Sequence, residues 1–300
     1  MMAGRGGFLK TPAKRRRALI GVTFVAPALA LYGWLVLGSF GNAVQYSLYD
    51  WNGVGKATFV GFANYFDVFT SPARLVSLLH AFELMVFFCG VTIVLALAAA
   101  VLTRAAVGRR SAAAVRTILF MPQVIPIVAA AVGWSWIYSR EGALNQFLDA
   151  VGLGSVTRAW LGDPSTALAA VGFIGTWALL GLVTMMLTAG ISKIDSALYE
   201  AARLDGANAV QEFFAVTLPG LRRELVVSAT LTIIAALASF DIVYITTQGG
   251  PNRATIVPGI DIYNMAFGQQ QVGGAAAMGI VLMAIVLLVI IPLQRLAAKD

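Results

Sequence analysis

The sequence has almost none of the side chains from which metal and redox centres are built. A single cysteine, Cys89, excludes an intrachain disulfide and a cysteine-based metal site. A single histidine, His80, leaves no cluster of the kind a zinc centre needs. Charge is scarce as well: Asp, Glu, Lys and Arg make up 12% of the 300 residues, against about 25% in soluble domains. Hydrophobic residues make up 59%, and the mean hydropathy is +0.82. A chain so short of polar surface must turn much of its exterior to lipid. Enzyme signatures are missing too. There is no His-Glu-x-x-His, and no Ser/His pair near the middle of an apolar run. The nearest approach to a phosphate loop, Gly53-Val54-Gly55-Lys56, lacks the first glycine at the required spacing and has Ala57 where a hydroxyl is needed.

What the chain does have is apolar runs of membrane-crossing length, about 20 residues. Six are present, at 18–40, 79–103, 115–138, 167–191, 226–246 and 275–293. The first contains Ala26-Pro27-Ala28 and Ala28-Leu29-Ala30, which look like signal cleavage sites. Its apolar run exceeds the roughly 7–15 residues of a signal core, so it reads as a retained helix. The expected fold is therefore all-α and integral to the membrane, with six transmembrane helices. Residues 1–17 form a basic tail, and 18–300 a single membrane domain.

The basic residues set the orientation. With the N-terminus inside, the inner segments hold Arg5, Lys10, Lys14, Arg15, Arg16, Arg17, Arg104, Arg109, Arg110, Arg116, Lys193, Arg203, Arg222, Arg223, Arg295 and Lys299. The outer segments hold only Lys56, Arg74, Arg140, Arg158 and Arg253. Sixteen against five places both termini in the cytoplasm. The net charge of +7 is accounted for by this asymmetry, with no nucleic-acid partner needed.

Three connections are long. The outer ones cover 41–78, rich in aromatics suited to an interface, and 139–166, where a short surface helix is expected. The cytoplasmic one, 192–224, reads as two short helices. Asp195 caps the first, and Ala197, Ala201 and Leu204 make an apolar stripe at i, i+4, i+7. Gly206 stands where a helix ends with positive φ. Asn208, with Gln211 three residues on, forms a capping box for the second helix. Val210, Phe213, Phe214 and Thr217 line one face of that helix, and Pro219 ends it. Periodicity alone describes an amphipathic pair lying against its own bundle.

Residue order says more. Glu200-Ala201-Ala202, then Gly206, Val216 and Leu218-Pro219, resembles the "EAA" loop of ABC importer permeases, with Val216 in place of the usual isoleucine. The resemblance extends along nearly the whole chain. Pro27, Ser47, the run Val60-Gly61-Phe62-Ala63-Asn64-Tyr65, Met121-Pro122, Pro126, Trp134, Trp136, Gly142 and Asn145 are similar to the sugar-importing branch. So are Phe240-Asp241, Tyr244, Thr247-Gln248-Gly249-Gly250-Pro251, Thr255, Tyr263 and Phe267. The Gly-Gly-Pro segment resembles the larger, maltose-type subunit of the permease pair. The resemblance implies a type I importer: a second, dissimilar permease, two ATPase subunits that bind ATP and Mg, and an external substrate-binding protein. It also implies that Glu200, Ala201, Ala202, Asp205, Gly206, Leu218 and Pro219 couple this chain to the ATPase, and that the chain has no cofactor of its own.

A sugar pathway needs hydroxyl-compatible groups and aromatic faces near the membrane midplane or in a cavity. The candidates are Gln123, Trp134, Trp177, Thr184, Ser239, Asp241, Tyr244 and Asn264; each also fits a packing or interface role. Pro122 and Pro126 weaken the third run, and backbone freed in that way is tolerated only beside protein or a cavity. A rival class is a secondary transporter or channel driven by an ion gradient. Such proteins carry intramembrane acids and repeats. Here Glu83 and Asp241 are the only acids within the runs, and no clear repeat is visible.

Overall fold

The computed structural model describes residues 12–105 and 109–297. The basic tail over 1–17 falls outside the described residues up to position 11, as does Lys299. Helix α1 runs from Pro12–Tyr32 through a π turn, Gly33–Leu37, into Gly38–Tyr46. A hairpin follows, its strands β1 (Tyr49–Asp50) and β2 (Thr58–Phe59) paired antiparallel. Gly53-Val54-Gly55-Lys56 is its tip, folded around the Asn52 side chain, which accepts from the Val54 and Gly55 amides.

Helix α2 (Ala63–Thr70) leads into α3, which comprises Pro72–Met85, a π turn at Val86–Val91 and Thr92–Ala105. Then come α4 (Arg109–Val124), α5 (Ile127–Ile137), the surface helix α6 (Ala143–Ala150) and α7 (Ala167–Ile191). The loop over 192–224 folds as a pair, α8 (Ser196–Leu204) and α9, which begins at Ala209–Glu212 and continues through a π turn to Leu218–Gly220. The chain ends with α10 (Arg222–Leu237), α11 (Asp241–Thr246), α12 (Pro258–Tyr263, extended by a π turn) and α13 (Val272–Ala297).

Helix α7 is the hub. It packs on α3, α4 and α10, and more than half of its most apolar stretch is buried. Close approach depends on its glycines. A Cβ on Gly172 or Gly175 would sit inside the rings of Phe87 or Phe88. The Phe87 carbonyl, in the π turn of α3, accepts the Thr176 hydroxyl at 2.9 Å in addition to the Thr92 amide and hydroxyl. Leu84, Phe88, Val171, Ile174, Ala236, Val243 and Ile260 fill the core around this contact.

Among the described residues, four helices are long and apolar enough to cross a membrane: Ile20–Tyr46, Pro72–Thr103, Ala167–Ile191 and Val272–Arg295. The fourth expected run matches α7 at both ends. The third and fifth differ from the continuous helices expected. The third is Thr117–Val124 plus Ile127–Ile137, bent by 106°, because Pro126 cannot donate into the turn before it. The fifth stops at Leu237 and restarts at Asp241. No proline or glycine lies at that break; Gly259 presses against it, and a Cβ there would sit 3.1 Å from the Ser239 carbonyl oxygen.

Two motifs in the connections over 41–78 and 139–166 become hydrogen-bonded knots. The buried Ser47 hydroxyl meets the Tyr65 hydroxyl at 2.6 Å, and Asn64 Nδ2 donates to the Ser47 and Tyr49 carbonyls. Asn145 donates to the carbonyls of Ser139, Arg140 and Arg158 and accepts from Trp160 Nε1.

Candidate functional site: a two-helix loop and a cavity between helix breaks

The loop over 192–224 folds with the caps its sequence encodes. Asp195 accepts from the Ala197 amide at 3.0 Å. Gly206 has φ +84, and the space a Cβ would occupy is empty. Asn208 and Gln211 form the reciprocal capping box. Arg203 then forks onto Glu212, with Nε to Oε2 at 2.8 Å, and ties α8 to α9. That hydrogen bond and the Glu212 charge hold the guanidinium proton more tightly than usual.

The stripe Ala197, Ala201, Leu204 faces away from the bundle. Leu204 is 88% exposed, and Leu198 beside it 55%. The residue α8 buries is Tyr199, whose hydroxyl lies 3.2 Å from the buried Thr217 Oγ1. The face expected on α9 divides. Thr217 is buried and Phe213 half-buried, but Val210 and Phe214 are exposed. The helix also outlasts Pro219, which sits in the first turn of Leu218–Gly220; the chain turns at the fully buried Leu221. The π turn before Pro219 alters the bonding pattern its ring would otherwise disrupt. Glu200, Ala201, Asp205 and Gly206 are exposed, Ala202 and Leu218 half-buried. Lys193 and Glu224, paired at 3.1 Å, join the end of α7 to the start of α10 beside the loop.

The two helix breaks open onto one cavity of about 460 Å³. Pro122, Gln123, Ile125 and Pro126 line one side, and Ala235, Ala238, Ser239 and Asp241 the other. Gly175, Ala178 and Leu179 of α7 line it as well, with Phe88. Three of the eight pathway candidates, Gln123, Ser239 and Asp241, therefore come together. The Ser239 hydroxyl is buried without a hydrogen-bond partner.

The other five lie elsewhere. Trp134 packs edge-on against Trp177, ring centroids 5.6 Å apart, and tilts against Tyr138. Tyr244 stacks on Phe240 at 5.0 Å and meets Tyr263 edge-on. Thr184 is buried in α7 with its hydroxyl unpartnered. Asn264 opens the π turn after α12. Sequence reasoning missed the small-residue wall of Gly175, Ala178, Ala235 and Ala238. Its signal was present as small residues three apart on two helices, where bulk would fill the space.

Residues 92–299 match the family described as binding-protein-dependent transport system inner membrane component. The chain is 36% identical over 273 residues to the probable ABC transporter permease protein YurN of Bacillus subtilis (strain 168), spanning 90% of this chain and 92% of that one. It is 35% identical over 302 residues to the diacetylchitobiose uptake system permease protein NgcF of Streptomyces coelicolor, spanning 95% and 84%. Its fold superimposes with a TM-score of 0.81, at 20% identity and 97% coverage of both chains, on a bacterial alginate ABC transporter solved in complex with an alginate pentasaccharide-bound periplasmic protein.

Proposed function

The chain belongs to the family of binding-protein-dependent transport system inner membrane components, and from that premise we propose that it carries a sugar or sugar-like solute, delivered by an external binding protein, across the membrane on the energy of a separate ATPase. It is a transport component of the cell membrane with a type I ABC permease fold, not an enzyme. The sugar class rests on the motifs that resemble the sugar-importing branch and on relatives such as the chitobiose permease.

The observation that carries the coupling role is the outward apolar stripe of α8. A helix that only buttressed its own bundle would turn Ala197, Ala201 and Leu204 inward; here they are exposed. Ala201 beside the half-buried Ala202 leaves room for a neighbouring surface, and Glu200 offers a carboxylate to a basic residue there. In this reading ATP and Mg are bound by that partner, and its closure is carried through α8 and α9 into α7 and α10. Six crossings follow if the bent pair counts as the third and α10 with α11 as the fifth, with both termini cytoplasmic. The solute passes the cavity lined by Gln123, Ser239 and Asp241. The second permease packs on α1: the apolar stretch of Ile20–Tyr46 has no buried residue within this chain.

Glu200→Ala or Gly206→Pro should abolish substrate-dependent uptake while the chain still inserts, as followed by membrane fractionation. Normal uptake by both variants would sink the coupling role.

A further inference from the structure

The cavity between the helix breaks has a charge of one sign. Among the described residues lining it, the polar side chains are Gln123, Ser239 and Asp241, and none is a Lys, Arg or His. Asp241 is exposed and has no hydrogen bond or ion pair with any described residue. Its carboxylate is thus free to act on the contents of the cavity. Beside it the Ser239 hydroxyl, on a residue only 7% exposed, has no partner either. An unengaged carboxylate lining a cavity is a poor stabilising device and a good binding one.

We propose that Asp241 is the charge filter of this cavity, admitting uncharged or cationic solutes, such as neutral and amino sugars, and disfavouring anionic ones, such as uronates, sulfonates and sugar phosphates. This rests on the proposal that the cavity belongs to the solute pathway. A carboxylate accepts two hydroxyls of a vicinal diol, and it attracts an ammonium group. An anion in a space about 5 Å in radius cannot move far from it, and at an effective dielectric near 20–30 the repulsion disfavours it by roughly tenfold. The exposed apolar walls, Ile125 and Val124 among them, supply no countercharge.

The experiment reads the field directly. In the intact transporter in its native membrane, Cys89→Ser removes the natural thiol and Gln123→Cys places one on the cavity wall. The rates of modification by a cationic trimethylammonium-ethyl and an anionic sulfonatoethyl methanethiosulfonate are followed by the mass of this chain, and their ratio is normalised to a small thiol in solution. With Asp241 present the cationic reagent should be favoured about fivefold or more. Asp241→Asn should bring the ratio near 1. A normalised ratio near or below 1 with Asp241 in place overturns the filter. That result needs no Asp241 variant, so a folding defect in Asp241→Asn leaves the test intact. If neither reagent reaches the thiol introduced at position 123, although both react after denaturation, the cavity is closed to water; the pathway reading then falls, and the filter with it.

Discussion

Gly206 and Gly181 are held to glycine by different forces. At Gly206 the constraint is the backbone alone: φ is +84, and no atom lies within 4 Å of the place where a Cβ would stand. An alanine there carries a left-handed penalty of about 1–2 kcal/mol and no clash. At Gly181 the φ is ordinary, but a Cβ would sit 2.1 Å from the Leu119 carbonyl oxygen, where α7 crosses α4. Backbone cannot rotate away as a side chain can, so Gly181→Ala should cost at least the roughly 1–3 kcal/mol typical of overpacking. The two substitutions separate on two measurements. Gly181→Ala should lower the thermal midpoint of the purified chain in detergent by several degrees. Gly206→Ala should lower that midpoint less than Gly181→Ala does and reduce uptake only in part. Equal midpoints for both variants would refute the steric argument at Gly181.

At the scale of elements, the loop over 192–224 and the fifth apolar run show what a sequence can and cannot encode legibly. The loop's stops and starts are local chemistry: an Asp cap, a glycine at positive φ, an Asn–Gln box. Each was readable because its partner lies within four residues. Which face α8 presents was not readable, since Tyr199 and the Ala–Leu stripe are both plausible inward faces until Thr217 is brought against Tyr199. The break at residues 238–240 was illegible too: no proline or glycine marks it, and Gly259, which packs against it, lies about twenty residues away in the chain. The bend at Pro126 was visible as a proline; its angle was not. The capping box allows a local test. Asn208→Ala should destabilise the start of α9 by about 1 kcal/mol, seen as faster amide exchange at Val210 and Gln211, whose N–H groups donate to Asn208. Unchanged exchange would mean that the Arg203–Glu212 fork, not the cap, holds α9 in place.

Over the whole molecule, burial is uneven in a way that a self-contained bundle does not explain. The most apolar window of α7 is 56% buried and those of α3 and α13 are 28% and 22%, whereas that of α1 is 0%. The last stretch of α1, Gly38–Tyr46, packs on α13; Phe24, Leu29 and Trp34 are exposed. Lipid can solvate such a helix, but lipid supplies no force to keep it standing off the bundle at one angle. Helix association in a membrane depends on packing contacts, and α1 has few within its own chain. A second permease subunit would supply them along residues 20–37. Its presence is testable by cross-linking in the intact transporter. With Cys89→Ser, Trp34→Cys should form an adduct between this chain and a different membrane subunit, identified by mass, when a short bifunctional thiol or photoactivatable reagent is applied. Leu102→Cys, exposed on α3 at the other end of the bundle, serves as the comparison and should give less of that adduct. If position 34 cross-links only to lipid or to a second copy of this chain, α1 is not the arm that joins the two permeases.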